Sequence, residues 1–288
     1  MNAALLLCCA FLLLGCQRHT ESPTAAESIK KTGTAPARRI VTLTPGLTEL
    51  IYAVGAQQWL LATVEYADFP QAAQQIPRIG DAFHVDLEKL LALRPDLVLV
   101  WTSGTSATIV EQIKALGLRV ESIDVRHLSD VSTSLLRMGE LTGMQANAQQ
   151  AAQAFEQGMQ ELRSRYAGRT PLRVFVEVNR QPLYTVNGRH VLSEVLNLCG
   201  GENVFASLDQ LAPVIGVEAV LKADPEVILS TEGTLPEVRQ DWQAWPQLKA
   251  VKQKQIVVVS PDATTRATPR LLQGAQDICN ALQSVRAR

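Results

Sequence analysis

EKLLALRPDLVLVW at residues 88–101 and EAVLKADPEVILS at residues 218–230 are one phrase written twice. Each copy opens on a glutamate, sets a leucine and then a proline at matching positions, and runs from an acidic residue into an apolar stretch. Leu87, Leu90 and Leu91 in the first copy, and Val217, Val220 and Leu221 in the second, form one apolar helical face. Proline then ends the helix before a buried strand. The copies start 130 positions apart, too far for a solenoid, whose repeats span a few tens of residues. Two equivalent lobes account for them. Glu88 and Glu218 fall in the first turn of equivalent helices, one residue off the apolar face. A carboxylate there complements the helix dipole by about 0.3–1 kcal/mol. A matched pair, one per lobe, also suits a two-fold symmetric partner.

Outward from the phrase, strands and helices alternate. RIVTL (39–43), DLVLVW (96–101), LRVESID (118–124), RVFVEV (173–178), EVILS (226–230) and QIVVVS (255–260) have the composition of buried strands. Helical spacing marks Leu47 to Val54, Ala107 to Leu116, Ser129 to Leu141 and Thr268 to Val285, while CGGENVF (199–205) reads as a helix end and turn. Without Asn-Gly hairpins, this rhythm predicts parallel sheets in α/β layers. From Gln145 to Tyr166 the rhythm stops: Ala151, Phe155, Met159, Leu162 and Tyr166 recur every three or four residues. One helix of roughly 33 Å is predicted there, long enough to be a strut between lobes.

The N-terminus is a targeting segment. AALLLCCAFLLL (3–14) is an apolar run followed by Gly15-Cys16, the pattern of a bacterial lipoprotein signal or, alternatively, of an ordinary secretory signal. No Lys or Arg precedes the run, and Leu14 is bulky for its place. Acylation at Cys16 would anchor the chain stably to a membrane. Residues 17–37 lack apolar periodicity and form a tether. The expected organisation is a signal over 1–16, a tether over 17–37, an N-terminal lobe over 38–143, a connecting helix over 144–167 and a C-terminal lobe over 168–288. Of five cysteines, Cys8 and Cys9 leave with the signal and Cys16 carries lipid; Cys199 and Cys279 remain, as a disulfide or as two buried thiols.

Composition narrows the function. A net charge of −1 with no basic stripe argues against nucleic acid. His19, His84, His127 and His190 lack the spacing of a zinc helix, and no Cys-x-x-Cys, Gly-x-Ser-x-Gly or phosphate-binding glycine loop is present. No nucleophile–base pair assembles, so catalysis is not expected. An enzyme on the same two-lobed scaffold is the alternative of another class.

RIVTLTPGLTELIYAVGA, EYADFPQAAQQIPRIG, VDLEKLLALRPDLVLVW, VLNLCGGENVF, VEAVLKADPEVIL and ATPRLLQGAQDICNAL lie in order along residues 38 to 285. Together they resemble the helical-backbone class of substrate-binding proteins that serve bacterial ABC importers for cobalamin, haem and ferric siderophores. The resemblance implies two α/β lobes joined by one long helix, with a ligand cleft between them. It implies capture of cobalamin as transported ligand, with haem or a ferric siderophore as the alternative, and no resident cofactor or metal. The implied ligand-binding residues are Tyr66, Phe83, Trp101, Tyr184, Asp262 and Arg266. Glu88 and Glu218 would dock into arginine pockets of a dimeric permease that works with ATPase subunits, and Cys199 and Cys279 would form an inter-helix disulfide. The implied state is a monomer in the periplasm, held to a membrane by lipid. The cobalamin binders carry tryptophans where this chain has Ala82, beside Phe83, and Ala212. A haem site would instead favour Tyr66 or His84 as iron ligand.

Overall fold

The structure, a computed structural model, describes residues 35–81, 84–102 and 104–287. The signal segment, Cys16 and most of the tether lie outside the described residues, as do Ala82 and Phe83.

The first lobe runs β1 (Ile40–Thr42), α1 (Pro45–Ala53), β2 (Leu60–Ala62), α2 (Leu87–Ala92), β3 (Leu97–Trp101), α3 (Ala107–Ala115), β4 (Val120–Ile123) and α4 (Leu128–Thr142). The long helix α5 spans Gln145–Tyr166, the same 22 residues that the apolar spacing marks. In the second lobe β5 (Leu172–Glu177), α6 (Val191–Leu198), β6 (Gly201–Asn203), α7 (Val217–Ala223) and β7 (Val227–Ser230) come first. They are followed by α8 (Leu235–Trp242), α9 (Lys249–Lys252), β8 (Ile256–Val258), α10 (Pro261–Thr264) and α11 (Leu271–Arg286). Each lobe holds one four-stranded parallel sheet, ordered β2-β1-β3-β4 in the first and β6-β5-β7-β8 in the second. β3 and β7, the strands of the repeated phrase, occupy the same place in their sheets. Ile40 lies opposite Leu97 in the first, and Val174 opposite Val227 in the second.

Alternation along these strands builds the core. Leu97, Leu99, Val227 and Leu229 face one continuous apolar cluster that takes in residues of α1, α4, α5, α6 and α11 from both lobes. Val98 and Val100 turn the other way, under Leu90 of α2; Ile228 does the same under Val220 of α7. α5 is therefore packed into the shared core along its length rather than standing free. Two close approaches fix it: a Cβ on Gly139 of α4 would stand 2.5 Å from Ala148 Cβ, and one on Gly158 would stand 2.4 Å from Leu272 Cδ2 of α11.

The structure corrects the sequence reading in two places. CGGENVF contains a strand: Cys199 caps α6, Gly200 takes φ 72°, and β6 then pairs with β5. Three residues with Glu202 exposed at their centre leave no apolar run to read. The last helix begins at Leu271 rather than Thr268, because Thr268 to Leu271 forms a turn and the Thr268 hydroxyl is engaged elsewhere.

Candidate ligand cleft

In open α/β sheets, ligands bind outside the carboxyl ends of the strands. A cavity of about 600 Å³ opens there between the lobes, within the roughly 300–1,000 Å³ usual for small-molecule sites. Gly46, Trp101 and His127 line it from the first lobe, and His190, Leu211 and Arg266 from the second. Trp101 ends β3 and is half-buried, and its ring lies along the start of α1: a Cβ on Gly46 would stand 3.5 Å from Trp101 Cζ3. The wall thus offers a flat aromatic surface with polar groups around it, which suits a broad amphipathic ligand.

Arg266 is held from four directions. It donates to Glu49 Oε1 at 3.0 Å, to Asp68 Oδ1 at 3.1 Å and to the Tyr66 carbonyl at 3.2 Å, and it pairs with Asp262 Oδ1 at 2.8 Å. Glu49, on α1 and only 4 % exposed, also accepts from Arg270 at 3.0 Å and from the Thr268 hydroxyl at 2.7 Å. A carboxylate of the first lobe is thereby enclosed by donors of the second.

A second contact runs the other way. Glu194, on α6, pairs with His127 Nδ1 and accepts from the Leu128 N–H at 2.9 Å. The hydrogen bond and charge of Glu194 raise the His127 pKa above its ordinary value. His190 behaves oppositely: burial lowers its pKa to about 4, and its Nδ1 accepts the Leu192 N–H at 3.1 Å, capping α6 as a neutral ring.

The cavity brings together Trp101 and Arg266, and Arg266 in turn contacts Asp262 and the backbone of Tyr66. Tyr66 as a whole is 78 % exposed and takes φ 64°. Tyr184 is half-buried, its backbone bridged to Asn179 and Val214, and it is not among the residues lining the cavity. Phe83 falls outside the described residues. Glu88 and Glu218 are exposed on the first turns of α2 and α7, away from the cavity lining. Cys199 and Cys279 are joined, S–S 1.99 Å, between the end of α6 and the middle of α11. His84 is a surface imidazole beside Asp81, and His190 is half-buried at the cavity wall. Among the described residues, no group of three His, Cys, Asp or Glu side chains is placed to hold a metal ion.

Glu49, His127 and Glu194 are the residues that the sequence reading leaves without a role. A second repeated phrase marks two of them: LTELIYAVG (47–55) and LSEVLNLCG (192–200). Leu47, Leu50, Ile51 and Val54 are fully buried, and so are Leu192, Val195, Leu196 and Cys199. Gly55 and Gly200 end the two helices at φ 74° and 72°. The glutamate of each phrase therefore sits at one equivalent position, and each reaches into the opposite lobe.

Residues 40–263 match the periplasmic binding protein family. The chain belongs to that family. A curated relative, the vitamin B12-binding protein of Yersinia pestis, is 34 % identical over 250 residues, covering 86 % of this chain and 88 % of the relative. The crystal structure of the periplasmic vitamin B12-binding protein of Vibrio cholerae superposes with a TM-score of 0.81 at 31 % identity, covering 88 % of this chain and 99 % of the other. The periplasmic haem-binding protein of Vibrio cholerae superposes at 0.74 with 21 % identity, over 85 % and 98 % of the two chains, and shares the fold. Two α/β lobes with parallel four-stranded sheets are thus the architecture of this periplasmic binding protein. No helix among the described residues is long and apolar enough to cross a membrane.

Proposed function

We propose that the chain is the extracytoplasmic substrate-binding component of an ABC importer and that its ligand is cobalamin. The observation that carries the reading is the inter-lobe cavity walled by Trp101 and Arg266, in a chain about one-third identical to vitamin B12-binding proteins over most of its length. On this reading Tyr66, Phe83, Trp101, Tyr184, Asp262 and Arg266 contact the ligand. The N-terminal lobe over 38–143 and the C-terminal lobe over 168–288, joined by the helix over 144–167, hold it with modest movement. The protein then docks through Glu88 and Glu218 on a permease dimer, whose ATPase subunits supply the energy. Binding and hand-over are the whole task, and the ligand leaves chemically unchanged. Cys16, acylated, ties the monomer to a membrane facing the periplasm.

Calorimetric titration of the purified protein with cyanocobalamin and with haemin tests the ligand. Saturable 1:1 heat with cyanocobalamin and none with haemin is expected. The reverse result would move the assignment to haem.

A further inference from the structure

The lobes are tied at two points of the cavity wall by Glu49 and Glu194, and the ties differ in one respect. Glu49 is met by the guanidinium groups of Arg266 and Arg270 and by a hydroxyl. Guanidinium groups stay charged at every physiological pH. Glu194 is met by an imidazole and a backbone N–H, and an imidazole changes charge in the physiological range. The two ties also differ in burial: the Glu49 side chain is 3 % exposed and Arg266 16 %, whereas Glu194 is 29 % and His127 60 % exposed. The second tie is open to water, and the carboxylate of the first is almost closed to it.

The charges around His127 favour its protonated form. Glu194 faces it from α6, and Asp130 on its own helix adds to the effect; Arg126 opposes both but is itself paired with Asp124 at 2.7 Å. Arg189 and His190 line the same cavity from the second lobe. On its other side Glu194 shares a surface hollow with Arg163 of α5.

We infer that the lobes part at the His127–Glu194 contact while the Glu49 cluster stays fastened, and that loss of the His127 proton loosens that contact. The sign follows from the pairing. Below the ordinary imidazole range His127 is charged and the bond is charge-assisted. As pH rises through the elevated folded value the imidazolium charge goes, and with it the ionic attraction, leaving a single N–H of a neutral ring on the carboxylate. The device governs how readily the proposed cleft opens, and rests on that reading only for its bearing on uptake.

Hydrogen exchange in the ligand-free full chain tests it. The Leu128 amide reports the Glu194 side directly, and the Thr268 and Leu271 amides report the Glu49 side. Between about pH 5.5 and about pH 8.5, after correction for intrinsic exchange, protection at Leu128 is expected to fall about five- to tenfold, with Thr268 and Leu271 unchanged. His127→Gln and Glu194→Gln should each show the low protection at both pH values, and His127→Arg the high protection at both. Equal changes on the two sides, or a pH dependence that survives in His127→Gln, would overturn the inference. Because no ligand is present, its failure leaves the cobalamin assignment standing, and a failure of cobalamin to bind leaves this result untouched.

Discussion

Asp96 and Glu226 make the same reciprocal pair of bonds in their two lobes, and Asp96 also accepts the Arg38 N–H at 2.8 Å. Asp96 accepts the backbone N–H of Arg39 at 3.0 Å and returns its own N–H to the Arg39 carbonyl at 2.9 Å; Glu226 does so with Arg173 at 2.9 and 2.8 Å. Ahead of each lies a proline, and ahead of that a left-handed residue, Arg94 at φ 46° and Asp224 at φ 42°. The acid that follows the proline of each repeated phrase is therefore a clasp at the start of the first strand of its own sheet. Asp96→Ala and Glu226→Ala should each cost about 1–2 kcal/mol in urea unfolding. Sharing no partner, the two should add in the double variant.

Glu49 is the buried carboxylate on which two guanidinium groups converge. Glu49→Gln leaves Arg266 and Arg270 short of their shared counter-charge. Losing one partner of a buried ion pair costs about 3–5 kcal/mol. Arg266 keeps Asp68 and Asp262, so a loss of about 2–4 kcal/mol is expected. Thermal denaturation measures it.

Glu88 and Glu218 are exposed and stand clear of the cavity. Reversing both charges, Glu88→Lys with Glu218→Lys, should abolish importer-dependent uptake of cyanocobalamin while calorimetric affinity stays at the wild-type value. An equal collapse of affinity would remove the docking role.

His190 gives stability a definite pH slope. Its folded pKa, about 4, lies below the ordinary 6.5. The unfolded chain therefore takes up a proton on acidification that the folded protein refuses. Stability should fall as pH drops from about 6.5 to about 4, by roughly 3 kcal/mol, and level off below. His190→Asn, which retains a capping oxygen but no titration, should flatten that part of a stability–pH profile.

Much of this was legible in the chain because burial repeats. EKLLALRPDLVLVW and EAVLKADPEVILS announce two lobes, and the spacing from Ala151 to Tyr166 places α5 over its actual length. What escaped does not advertise itself through apolar periodicity. β2 and β6 have three residues each. Glu49 lies on a helix whose neighbours are buried, and a glutamate read by composition is assigned to solvent; only its donors, more than 200 positions away in Arg266, Thr268 and Arg270, explain it. For the site, the aromatic and the arginine of the cavity wall were within reach through resemblance. The contact of His127 with Glu194 was not, because nothing local links residues 67 positions apart.

The crossed glutamates have the form of an isologous interface, in which one patch meets its own equivalent and every contact is made twice. In a dimer of identical subunits any substitution at such a patch acts at both copies. Carried within a single polypeptide, the two contacts are freed from that constraint. Here one glutamate is met by arginines and the other by a histidine, so an arrangement that symmetry would keep uniform is a fastening with a permanent side and a releasable one.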